Sequence, residues 1–173
     1  QQLGMSLGGA SKIIHSTRML LEANPTFVCA TNDCRNAFNE NARSAAVVAL
    51  QREPSLAHLA HYAATSLIPS HGMESRGELW GRASEGQTQG SPEGGPLFAV
   101  TIQEELEKLD ATLAEVGGQA RGGWDDIYPV GPEEVLFPAL DLFWENLGVK
   151  CGLERQLAKC AVFTSSGTRP ASM

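Results

Sequence analysis

A five-residue run with four apolar side chains, Phe27–Thr31, sits between a proline stop and an acid, and the residues on either side repeat with a different period. Five residues are too few for a packed helix, so the run reads as a short buried strand ending at Asn32-Asp33. Upstream, Ile13, Ile14, Thr17, Leu20 and Leu21 recur every three or four residues, which predicts a helix from Gly8-Gly9 to the stop at Asn24-Pro25. Downstream, an Ala- and Val-rich stretch predicts a second helix over Asn36–Gln51, and an amphipathic third follows over Leu56–Leu67. Met73–Ser84 reads as a polar hairpin carrying Leu79 and Trp80. A glycine-rich loop, 86–95, then opens a long helix from Pro92 or Pro96 through Leu113. Gly117–Gly123 reads as loose, Trp124–Tyr128 as two short strands around an acidic pair, and Pro132-Glu133-Glu134 as the start of another helix. Leu157–Phe163 is a last strand. The order is α, β, α, α, hairpin, α, β, β, α, β. It implies an α+β fold in which helices pack on one face of a small antiparallel sheet.

Composition narrows the function classes. The chain has 173 residues, 42% apolar and 19% charged, which suits one folded domain. Its longest wholly aliphatic run, Ala45–Leu50, is far short of a membrane span. No basic-then-apolar leader opens the chain, and the first residue is not Met, so it reads as an excerpt of a longer protein. Cys29, Cys34, Cys151 and Cys160 form no C-x-x-C pair, which disfavours a zinc ribbon and fits reduced thiols in an intracellular compartment. His58-x-x-His61 lacks a nearby third ligand and reads as a surface pair. The formal charge is −7. A strong binder of phosphate backbones needs clustered Lys and Arg, and this balance argues against one.

Three acids stand out by position. Asp33 ends the apolar strand, and Asp125 and Asp126 lie in the second hairpin. If those strands are neighbours, the carboxylates converge at one edge of the sheet. Converging carboxylates raise one another's pKa unless a cation offsets them. Mg²⁺ suits that role, because it takes oxygen ligands and keeps positions for water and phosphate. Adjacent strand residues point to opposite faces, so both acids of the pair can serve only in a tight turn. Taken bare, an Asp-Asp pair is as well read as a solvated turn.

The pair is not bare. Asp33-Cys34-Arg35-Asn36-Ala37-Phe38-Asn39 resembles the first palm motif of reverse transcriptases of the non-LTR retrotransposon type: an acid, three variable residues, then Ala-Phe. Gln87-Thr88-Gln89-Gly90-Ser91-Pro92, leading to Pro96-Leu97-Phe98, is similar to the second motif, a Gln-Gly-x-Pro loop before a long helix. Trp124-Asp125-Asp126 looks like the third motif, and Gly152-Leu153 through Lys159 like the fourth. Gln2-Leu3-Gly4 with Gly8-Gly9 is similar to the glycine-bearing segment before the first motif. The likeness runs over residues 2–164 in the right order. It implies a polymerase palm at 1–164, with fingers and thumb largely missing, and a flexible tail at 165–173.

The resemblance also implies roles. Asp33, Asp125 and Asp126 would hold two Mg²⁺ ions, with Mn²⁺ as a substitute, and transfer a nucleotide from a dNTP to a primer 3′-hydroxyl on an RNA template. Phe38 would lie under the sugar and exclude a 2′-hydroxyl; core packing is the other reading. Gln89 and Gly90 would face the incoming nucleotide, or form only a helix-entry loop. Lys159 would protonate pyrophosphate, or be a solvated lysine. Arg35 would touch phosphate, or balance the acids. RNA template, DNA primer and dNTP are the implied partners, together with other parts of a longer polyprotein. The nucleus follows only from the type of element. Such a palm alone is expected to be weakly active at most, and the alternative is an inactive palm-like subunit of a larger assembly. Departures from the family pattern are Asn32 in place of an apolar residue, Gly123 in place of an aromatic, Glu93 in place of Leu, and Val149-Lys150-Cys151 as an apparent insertion.

Overall fold

A computed structural model describes residues 2–4, 6–67, 69–87, 91–165 and 167. Four antiparallel strands form the main sheet: β1 (Phe27–Thr31), β4 (Gln119–Gly123), β5 (Asp126–Pro132) and β6 (Ala161–Thr164), in the order β4-β5-β1-β6. Strands β2 (His71–Ser75) and β3 (Glu78–Ala83) form a separate hairpin, as the polar stretch predicts. The helices are α1 (Gly9–Ala23), α2 (Ala37–Glu40), α3 (Arg43–Arg52), α4 (Ala60–Leu67), α5 (Gly94–Ala114) and α6 (Glu133–Cys151).

Period-two alternation sorts the strand residues. Val28, Ala30, Ala120 and Ile127 turn to one face, where α5 and α6 supply Phe98, Ile102, Leu106, Leu113, Leu136, Leu140 and Leu147. All eleven are almost wholly buried, so this is the principal core. Phe27, Cys29 and Val130 turn to the other face and meet Leu20 and Leu21 of α1. The long helices therefore share one face, as expected for the α+β layout, and among the described residues α1 lies against the other. A smaller apolar cluster joins α3 and α4 to Leu97 at the start of α5.

Three local expectations are corrected. The single helix over 36–51 is broken, with Asn41 and Ala42 extended. Long-range pairing diverts the backbone there: Ala42 N–H donates to the Cys151 carbonyl at 2.8 Å, and the Asn41 carbonyl accepts Gly86 N–H at 3.0 Å. Gln119–Gly123 is a strand rather than a loose segment. Its glycines lower intrinsic strand preference, but pairing with β5 along its whole length decides the conformation, and the Gln2 amide and Leu106 pack close over Gly122. The last strand begins only at Ala161, after a 3₁₀ turn at Leu157–Lys159. Val149-Lys150-Cys151, the apparent insertion, forms the last turn of α6. Most of the tail from 165 onward lies outside the described residues.

Candidate active site

Pairing between β1 and β5 sets the site. The partners Phe27–Pro132, Val28–Gly131, Cys29–Val130 and the bridge Asn32–Ile127 share one register. One step further, that register sets Asp33 opposite Asp126, on the same face of the sheet. Directly opposed residues in antiparallel strands have Cβ atoms about 4.5–5.5 Å apart. Asn32, out of pattern as a sequence, is buried and satisfied. Its amide donates to the Ala30 carbonyl at 3.0 Å and accepts the Trp144 indole N–H at 3.4 Å.

Asp125 enters through the turn. Gly123 pairs with Asp126, so Trp124 and Asp125 are the two central residues of the β4–β5 hairpin. Trp124 has φ 65°, and first-position positive φ is the mark of a tight hairpin turn. Asp125 thus escapes strand alternation, while Asp126 begins β5. Sequence logic asked for both acids in the turn; one is in it and the other abuts it.

Lys159 arrives by a second pairing. Cys34 bridges Arg155, Arg35 N–H donates to the Glu154 carbonyl at 2.8 Å, and Gln156 N–H donates to the Asp33 carbonyl at 2.9 Å. The 3₁₀ turn that follows brings the Lys159 ammonium to 3.0 Å from Asp33 Oδ2. Hydrogen bonding to Asp33 and its charge raise the lysine's pKa, so it stays cationic.

The electrostatics are those of a carboxylate cluster. Asp126 is exposed as a residue, yet partial shielding of its carboxyl, then the charges of Asp125 and Asp33, raise its pKa. Lys159 and a hydrogen bond with Tyr128 pull it back down. Tyr128 was not singled out from sequence. It is two residues beyond Asp126, so period two puts it on the same face. Burial and the Asp126 charge raise its own pKa. Cys34, buried beneath the cluster, is pushed up to about 12 by burial and by the charges of Asp125, Asp33 and Glu40, and remains a neutral thiol.

The other expected residues lie around this cluster. Arg35 pairs with Glu154 at 2.7 Å and Glu40 at 3.2 Å, not with Asp33. Phe38 is partly buried and stacks on Phe98 with ring centroids 5.1 Å apart, so one side of its ring packs in the core. Gln89 and Gly90 lie outside the described residues. The loop that carries them is anchored beside Phe38, because Gln87 N–H donates to the Phe38 carbonyl. Buried Arg43, also missed, fixes the same loop by donating to the carbonyls of Gly86, Glu85, Leu67 and Pro69. Beside Asp126, a cavity of about 450 Å³ opens between α1 and the sheet, lined by Ile13, Leu21, Cys29, Tyr128 and Phe163.

Hard oxygen donors and a surplus of negative charge fit Mg²⁺ or Mn²⁺. As the side chains lie, no three His, Cys, Asp or Glu among the described residues form a ready cage for one ion. Lys159 is the cation that faces Asp33 in this arrangement.

No family model matches the chain, and no curated protein matches it. Solved structures do. Apo telomerase from Candida tropicalis superposes with a TM-score of 0.71 at 11% identity, over 95% of this chain and 33% of that one. Telomerase from Candida albicans, in complex with a TWJ fragment of telomeric RNA, gives 0.71 at 12% identity, over 98% of this chain and 32% of that one. The fold is α+β and reverse-transcriptase-like. The chain spans about a third of the length of these telomerases. They share the polymerase-type fold and do not single out the retrotransposon type.

Proposed function

We propose that the chain is the palm of an RNA-directed DNA polymerase of the non-LTR retrotransposon type. One observation carries the reading. In a reverse-transcriptase-like fold, the β1–β5 register opposes Asp33 to Asp126, and the adjoining turn holds Asp125. Asp33, Asp125 and Asp126 would hold two Mg²⁺ or Mn²⁺ ions. When bound, such ions would supply Lewis acidity for phosphoryl transfer.

The chain's own groups do the rest. Asp33 and Asp126 orient the reacting oxygens from opposed strands, and Asp125 approaches from the turn. Lys159, kept protonated beside Asp33, neutralises pyrophosphate and gives it a proton as the bond from the α-phosphorus to the bridging oxygen breaks. The primer 3′-hydroxyl gives its proton to solvent water, and its oxygen forms the new bond to that phosphorus as the bond to pyrophosphate breaks. Phe38, packed against Phe98, would form the floor under the sugar and exclude a 2′-hydroxyl. By the resemblance, contact with the incoming nucleotide would fall to Gln89 and Gly90, outside the described residues. RNA template, DNA primer and dNTP are the substrates, and the flanking parts of a longer protein grip the duplex.

The test is Mn²⁺ titration of the purified chain, followed by extension of a DNA primer on an RNA template. The wild type is expected to bind Mn²⁺, and the Asp125→Asn, Asp126→Asn double variant at least tenfold more weakly, with extension lost. Equal metal binding by the two proteins would refute the reading.

A further inference from the structure

Residues 2–4 lie along the outer edge of β4. Gln2 forms a parallel bridge with Gly122, and Leu3 N–H donates to the Gly122 carbonyl at 2.6 Å. The Gln2 side chain then reaches Trp124. Its Nε2 donates to the Trp124 carbonyl at 3.0 Å, and its Oε1 accepts Trp124 N–H at 2.8 Å and Gly4 N–H at 3.2 Å. A single amide thus satisfies both backbone groups of one residue, as a neighbouring strand would.

That residue is the one the backbone favours least. A bulky side chain at φ 65° persists only where its surroundings over-determine it. A second observation, independent of the hydrogen bonds, shows how. The Trp124 indole lies against two glycines: a Cβ at Gly4 would come within 2.7 Å of the ring, and one at Gly95 within 2.5 Å. Gly4 belongs to the same N-terminal segment, and Gly95 to the first turn of α5. Gln2 holds the backbone of Trp124, and the two glycines admit its ring. The next two residues are Asp125 and Asp126.

We infer that Gln2 is a positioning residue for the acidic turn: through the Trp124 backbone it sets where Asp125 and Asp126 present their carboxylates. This rests on the reading of that turn as a metal-binding element. Groups that orient metal ligands typically change metal affinity 10–100-fold when removed. A residue that only filled the sheet edge would alter stability and leave metal affinity alone.

The experiment compares the wild type with Gln2→Met, which keeps the length of the side chain and deletes its three hydrogen bonds, and with Gly4→Ala, which displaces the indole. Mn²⁺ affinity and residue-resolved amide exchange are measured on each full chain. Gln2→Met is expected to weaken Mn²⁺ binding about tenfold or more, with faster exchange at 124–126 and unchanged protection in β1 and α5. Gly4→Ala should act in the same direction. Unchanged Mn²⁺ affinity in Gln2→Met overturns the inference, and so does exchange that rises equally throughout the sheet, which would mark a general structural role. A wild type that binds no Mn²⁺ sinks the polymerase reading instead. The exchange data then judge the Gln2 contact separately: local release of 124–126 upholds it, and unchanged exchange overturns it.

Discussion

Asp126 carries a charge that the folded chain would rather not hold. Its pKa is raised by shielding and by two like charges, so the native state binds a proton more tightly than the unfolded chain does. Stability must then fall as pH rises through that range, and the cost is fully present above the folded pKa. We expect Asp126→Asn to raise the melting temperature at pH 7.5 without divalent ions. The difference should close as pH drops below the ordinary aspartate value of 3.8. Added Mg²⁺ should stabilise the wild type, by about 1.4 kcal/mol at ten times its Kd, and the variant much less. Lys159 gives a complementary expectation. It is the cation at Asp33, so Lys159→Met should bind Mn²⁺ severalfold more tightly while extending primer more slowly. A calorimetric titration and a primer-extension time course separate these effects. Asp33 was legible in sequence because an acid closing an apolar strand stands out against its surroundings. Gln2 was legible only as part of a motif. Its partner lies 122 residues away, and no local period reports such a contact.

Helix α5 shows what patterning reveals at the scale of an element and what it hides. Its apolar period announced a helix from Pro92 or Pro96 through Leu113, and the structure has it over Gly94–Ala114. Hidden within it is Glu105, whose side chain is only 2% exposed. Burial alone would raise its pKa, but hydrogen bonds from Lys108 and Lys150 more than offset that and lower it. Asn146 of α6 donates to its other oxygen at 2.9 Å. Lys150 therefore ties the last turn of α6 to α5. Because the folded pKa is depressed, this stabilisation is present above the ordinary glutamate value of 4.5 and is lost as pH falls through the folded value. We expect Glu105→Gln to cost about 1–3 kcal/mol at pH 7 and to flatten the acid limb of the stability curve, read by urea melts between pH 7 and 3. The same blindness to long-range partners explains the broken helix at Asn41-Ala42 and the glycine-rich strand β4. Local propensity argued one way there, and pairing with Cys151, Gly86 and β5 decided otherwise.

Over the whole molecule, charge and extent bear on one question: what grips the duplex. Residues 1–52 carry five basic and three acidic side chains, a net +2, so the remainder carries the other −9 of the total −7. Several of the basic groups are already engaged. Arg43 is buried on carbonyls, Arg52, Lys108 and Lys150 pair with Glu104, and Arg35 pairs with Glu40 and Glu154. Non-specific affinity for nucleic acid scales with the number of phosphates neutralised, typically with Kd of 10⁻⁴–10⁻⁶ M at physiological salt. With so few unpaired cations among the described residues, the chain belongs at the weak end. We expect this 173-residue chain to bind a 20-base-pair RNA·DNA hybrid, measured by fluorescence anisotropy, with a Kd of about 10⁻⁴ M or weaker near 0.15 M salt. The slope of log affinity against log salt should be shallow, because few counterions are released. Metal affinity at the aspartate cluster should not follow that weakness, since carboxylate binding needs no phosphate contact. Submicromolar hybrid binding with a steep salt slope would mean that this chain carries its own basic grip, and that flanking sequence is not needed to hold the primer over Asp33 and Asp126.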